Sequence, residues 1–176
     1  GGAVKVTSGF GATGGEIDIV SGSGMENGGG AVLLAGGDGG PKSGGAKVVV
    51  RGGDTSSEYE AGRVLVEGGK GPLGGGTEIR GGVGTANIGG NVVVASGKSS
   101  YSSSGSLTLV TPDSGKQGVS GPAVLQTGFS EGGVSGQVNV ASGDSKTRGG
   151  DVTISVGKGN SDKAGGNARV SAGSTQ

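Results

Sequence analysis

The side chains in this chain that could do chemistry begin with its carboxylates. Glu16 and Asp18, like Glu58 and Glu60, stand two residues apart, which puts each pair on one face of an extended chain. Paired carboxylates are the equipment of glycoside hydrolysis. Here no further local constellation joins either pair, and solvated turn and edge charges account for them. Asp38, Asp54, Asp113, Asp144 and Asp162 lie in or beside polar connections. Hard cations such as calcium take oxygen ligands of this kind. None of the five sits in the Gly-Gly-x-Gly-x-Asp nonapeptide of calcium-binding rolls, so Asx turns are the expected use. Gly81-Gly82-Val83-Gly84 invites a phosphate-loop reading, but the chain has no Gly-x4-Gly-Lys-Ser/Thr motif and no strand-to-helix context around these glycines. The run from Ser99 to Ser104, Tyr101 included, offers hydroxyls for O-linked sugars, while no Asn-x-Ser/Thr sequon occurs.

Absent residue types narrow the chemistry further. The chain has no His, which removes imidazole acid-base catalysis and the usual zinc sites, and no Cys, which removes disulfides and thiolate ligands. No catalytic, cofactor-binding or metal-binding residue is nominated, no cofactor is expected, and the expectation is a protein that is not an enzyme. Lys and Arg number 14 against 14 Asp and Glu, without a basic cluster, so nucleic acid is not an expected partner. No apolar run approaches the roughly 18 residues of a membrane span, and no signal segment opens the sequence.

What surrounds these side chains is mostly glycine. Gly supplies 48 of 176 residues, about four times its usual share of roughly 7%. Such abundance suits a flexible linker. Two features oppose that reading: the charges balance, and the Val, Ile and Leu residues recur at regular positions. Collagen is excluded because Gly does not fall at every third residue.

The recurring unit is Gly89-Gly90-Asn91-Val92-Val93-Val94-Ala95-Ser96-Gly97. With Gly90 as position 0, it reads small at −1, Gly at 0, apolar at 2 and 4, small at 6 and Gly at 7. Twelve repeats fit, with position 0 at Gly2, Gly15, Gly30, Ala46, Gly62, Gly75, Gly90, Gly105, Gly121, Gly136, Gly150 and Gly166. Alternation at positions 2 and 4, as in Val92 and Val94, predicts strands, and the β-branched content agrees. Position −2 extends the apolar face at Leu73, Ile88, Val119, Val134 and Ala164. Inward Gly at position 0 predicts close backbone approach.

The expected fold is all-β: a parallel β-solenoid of about twelve coils of ~15 residues, with like residues stacking in columns. An antiparallel meander, prism or barrel is the alternative. The expected organisation is one repeat domain over residues 1–176, an uncapped piece of a longer array, since atypical capping repeats are missing at both ends.

At Gly90–Gly97, Gly136–Gly143 and Gly150–Gly157 the pattern Gly-x-Val-x-Val/Ile-x-small-Gly resembles two groups. One is the repeats of secreted bacterial β-helix adhesins of the filamentous haemagglutinin type; the other is the Gly- and Ser-rich surface and filament proteins of algae such as diatoms. The resemblance implies an extracellular, cell-surface or fibrous protein and carries over no catalytic residues. The repeat of ~15 residues is shorter than the coils common in haemagglutinin-type proteins.

Position 3 should face away from the first apolar row, yet its middle members are apolar: Leu33, Val49, Leu65, Val93 and Val124. Either return arms cover them within one chain, or they form an exposed strip that binds another copy. These five residues are the candidate assembly interface. The expected function is that of an extracellular structural building block of a filament, sheath or adhesin that self-associates. The alternative is a surface- or ligand-binding module, for carbohydrate or ice. An ice-binding plane would want regular Thr at position 3, where only Thr108 and Thr153 occur.

Overall fold

The computed structural model describes residues 2–160 and 165–173; Asp162 and Ala164 lie outside them. Among the described residues there is no helix and no strand. The expectation of an all-β chain, whether a parallel β-solenoid or an antiparallel meander, prism or barrel, is therefore overturned. No described residue is buried. The chain exposes 18258 Å², against about 7,500 Å² for a compact monomer of this mass and about 24,000 Å² for the extended chain.

The physical reason lies in how consecutive repeats are joined. Seven of the nine backbone hydrogen bonds among the described residues are one bond repeated: the N–H at position 0 donates to the carbonyl at position 7 of the repeat before. The lengths run from 2.8 Å, as in Gly90 to Gly82, to 3.1 Å for Gly15 to Gly9. This bond closes each connection but joins position 7 to position 0, not like to like as solenoid stacking requires. Continued as an antiparallel ladder, it would set position 2 opposite 5 and position 4 opposite 3. The core face of one repeat would then share a side with the outer face of the next, the mismatch that a one-residue register slip produces. Two apolar side chains per repeat cannot organise a ladder against that mismatch, least of all in segments whose glycines lose the most freedom on ordering.

The chain divides into two units, Gly1–Val93 and Val94–Gln176, so the division falls inside the Gly89–Gly97 repeat. In the first unit all six connections carry the closing bond: Gly15 to Gly9, Gly30 to Gly22, Ala46 to Gly37, Gly62 to Gly53, Gly75 to Gly69 and Gly90 to Gly82. In the second unit Gly105 bonds Gly97, and no such bond joins Gly121 to Pro112, Gly136 to Gly128, Gly150 to Gly143 or Gly166 to Gly157.

Position 6 explains the difference. In the third to sixth repeats it is Gly36, Gly52, Gly68 and Gly81, and a Cβ there would overlap the carbonyl oxygen of Ala46, Gly62, Gly75 or Gly90 respectively. Glycine is required at these four places for closeness, since no described glycine has positive φ. Serine at position 6 is compatible with closure: the Ser21 hydroxyl donates to that same position-0 carbonyl, Gly30 O, at 2.8 Å. Bulkier residues hold the next repeat off. Where position 6 is Thr111, Thr127 or Val156 the connection is open, and a Cβ on Gly166 would stand 3.1 Å from Val156 Cγ1. Ser142 is also followed by an open connection, so a hydroxymethyl group permits closure without ensuring it.

Candidate functional site

Although no core forms among the described residues, the repeat is written into the accessibility of its apolar residues. Position 2 is the most covered: from Ile17 through Val152 its Val, Ile and Leu side chains are 45–58% exposed. Position 4, from Val6 through Ile154, is 64–88% exposed. Val92 shows one source of cover, because its Cγ2 would lie 3.6 Å from a Cβ on Gly81, position 6 of the repeat before. Val4, in the first repeat, is 94% exposed.

Leu33, Val49, Leu65 and Val93 lie in the first unit and Val124 in the second, all of them exposed. In the third, fourth, fifth and seventh repeats the position-3 residue is more exposed than the position-2 residue beside it, as with Val93 next to Val92. Of the five, Val124 lines a concavity. That groove, of about 410 Å³, lies wholly in the second unit between Leu109, Val110 and Thr111 on one side and Ala123, Val124 and Leu125 on the other. It spans the open connection between Pro112 and Gly121, where no closing bond draws the two repeats together.

The chemistry-bearing residues stay apart. Asp54 pairs with Arg51 at 3.3 Å, Arg148 with Asp151 at 2.9 Å, and Glu78 with Arg80, all at exposed positions where ion pairs contribute little. Glu16, Asp18, Glu58 and Glu60 are exposed, as are Asp38, Asp113 and Asp144. Among the described residues no three acidic side chains approach closely enough to hold a metal ion, and no helix is long and apolar enough to cross a membrane.

One column lies past position 7, outside the repeating motif. Position 9 is Gly or a hydroxyl residue in every repeat: Gly11, Gly24, Gly39, Thr55, Gly71, Gly84, Ser99, Ser114, Ser130, Ser145, Gly159 and, outside the described residues, Thr175. Both residue types serve the turn. Ser99 Oγ accepts from the N–H of Tyr101 at 3.2 Å and of Ser102 at 2.8 Å. Thr55 Oγ1 and Ser145 Oγ accept from the N–H two residues on, and Ser114 Oγ donates to the Gly118 carbonyl. These are local hydroxyl turns. Where glycine stands instead, the backbone folds in: a Cβ on Gly24 would overlap the Asn27 carbonyl, and one on Gly39 that of Ser43. The five most covered of the described residues are Ser21, Gly52 and Gly81 at position 6, and Ser99 and Ser130 at position 9. The organised points of the chain are thus its turn entrances, and the restriction to Gly, Ser and Thr at position 9 is the signal that marks them.

Compared with known protein families, with characterised proteins and with solved structures, the chain shows no match.

Proposed function

We propose that this chain is a self-associating structural repeat segment, in which the apolar rows find cover between copies. The observation that carries the reading is the exposure of every apolar row, position 2 included, in a chain that spaces those rows regularly. Monomeric proteins rarely leave large apolar patches uncovered. A second copy offers the same spacing, and a formal net charge of zero at pH 7 means that copies do not repel one another. No reaction belongs to this reading; continuity of the assembled chains is the function. Its setting, on the resemblance of the repeats to secreted filament and surface proteins, is extracellular or at the cell surface.

Sedimentation velocity over a concentration series, with electron microscopy of the same samples, tests it. The sedimentation coefficient is expected to rise with concentration and elongated assemblies to be visible at the upper end. A single monomeric species throughout the series would sink the reading.

A further inference from the structure

Of the open connections in the second unit, the one between Pro112 and Gly121 is flanked by an apolar groove. We propose that the groove between Leu109–Thr111 and Ala123–Leu125 receives the apolar triplet Val48–Val50 from the first unit of another copy, an assignment that rests on self-association of the chain.

The groove lining is apolar apart from Thr111 and carries no charge. An occupant must therefore be uncharged over several consecutive residues, because an unpaired charge taken into such a site is strongly disfavoured. Strict alternation would put a polar side chain at every second residue. The repeats that break alternation at position 3 do not, and Val48, Val49 and Val50 are three consecutive β-branched residues, each exposed.

Charge selects this triplet from its relatives. Asp113 is the only charged residue within two positions of the groove lining. Val48–Val50 is bracketed by Lys47 and Arg51, whereas Val32–Leu34 is bracketed by Ala31 and Ala35, Val64–Val66 by Arg63 and Glu67, and Val92–Val94 by Asn91 and Ala95. Arg51 already pairs with Asp54 at 3.3 Å, so Lys47 supplies the cation that complements Asp113, two residues beyond the groove lining, while the charges that bracket Val64–Val66 cancel and the other two triplets have none. No backbone hydrogen bond among the described residues engages Leu109–Thr111 or Ala123–Leu125, so both sides of the groove offer free N–H and C=O groups to an extended guest. Groove and triplet are different surfaces, so the contact is head-to-tail and propagates from copy to copy.

Three full-length variants test this by sedimentation. Val110→Asp with Val124→Asp disables the groove, Val49→Asp disables the triplet, and Gln137→Asp places a negative charge at an exposed polar position of the second unit, outside the apolar rows and away from both. The groove variant and the triplet variant are each expected to lose association by about tenfold or more, while Gln137→Asp stays close to the unmodified chain. Mixed together, the two disabled variants retain one intact groove and one intact triplet between them. They are expected to form a heterodimer that grows no further. The inference is overturned if the groove variant assembles like the unmodified chain, if Gln137→Asp weakens assembly equally, or if the mixture yields no heterodimer. In each of those cases self-association itself stands; only a monomeric unmodified chain removes both.

Discussion

Position 6 limits how closely two repeats can approach. Glycine there leaves room for the next position-0 carbonyl, serine meets that carbonyl with its hydroxyl at Ser21, and threonine or valine holds it away. Exchanging Gly81 for Val should therefore break the closing bond from Gly90 to Gly82. A net hydrogen bond is worth about 0.5–1.5 kcal/mol, so protection of the Gly90 amide should fall about two- to tenfold. Amide exchange followed by NMR measures this directly, and unchanged protection at Gly90 would remove position 6 as the determinant. The size of these residues is readable in the sequence as a column of small side chains. What the column means is not, because Gly and Thr both count as small until a carbonyl oxygen stands where the Cβ would be.

At the scale of the connection, the recurrent element is a turn entered through Gly at position 7, shaped at position 9 and closed at position 0. Ser99 holds two N–H groups that would otherwise face water. Replacing it with Ala should loosen the Tyr101–Ser102 turn, seen as faster amide exchange at both residues, with no change at Gly90. Replacement with Thr should preserve the bonds. Equal exchange in the unmodified chain and the Ala variant would show that the hydroxyl does not shape the turn. The apolar motif around Val92 ends at position 7, so hydrophobic spacing alone does not reach this column. The strands expected at positions 2 to 4 fail for a different cause: the closing bond has odd register, and alternation of period two cannot be continued across it without turning an apolar face outward.

For the whole molecule, a chain none of whose described residues is buried should lack the cooperative unfolding that a core confers. Dilute protein, heated in a calorimeter below the concentration at which it associates, should show no sharp transition, and a sharp one would contradict the open structure. Association should respond to solvent as apolar contact does. Sulfate should strengthen it, while sodium chloride up to about 1 M should leave it intact, since ionic strength screens exposed charges and not apolar surfaces. Dissociation by sodium chloride would instead identify charge pairing as the cohesive force.

The sequence by itself determined the repeat and the places where the chain turns, because these follow from spacing and from the backbone freedom of particular residues. It also exposed the unusual apolar members of position 3, from Leu33 to Val124. Whether those faces meet was decided only in three dimensions. Periodicity specifies a face but not the register in which neighbouring repeats join, and a single bond from position 0 to position 7 sets that register out of step with the apolar pattern. Burial is a property of two surfaces in contact, and no described residue in either unit reaches it.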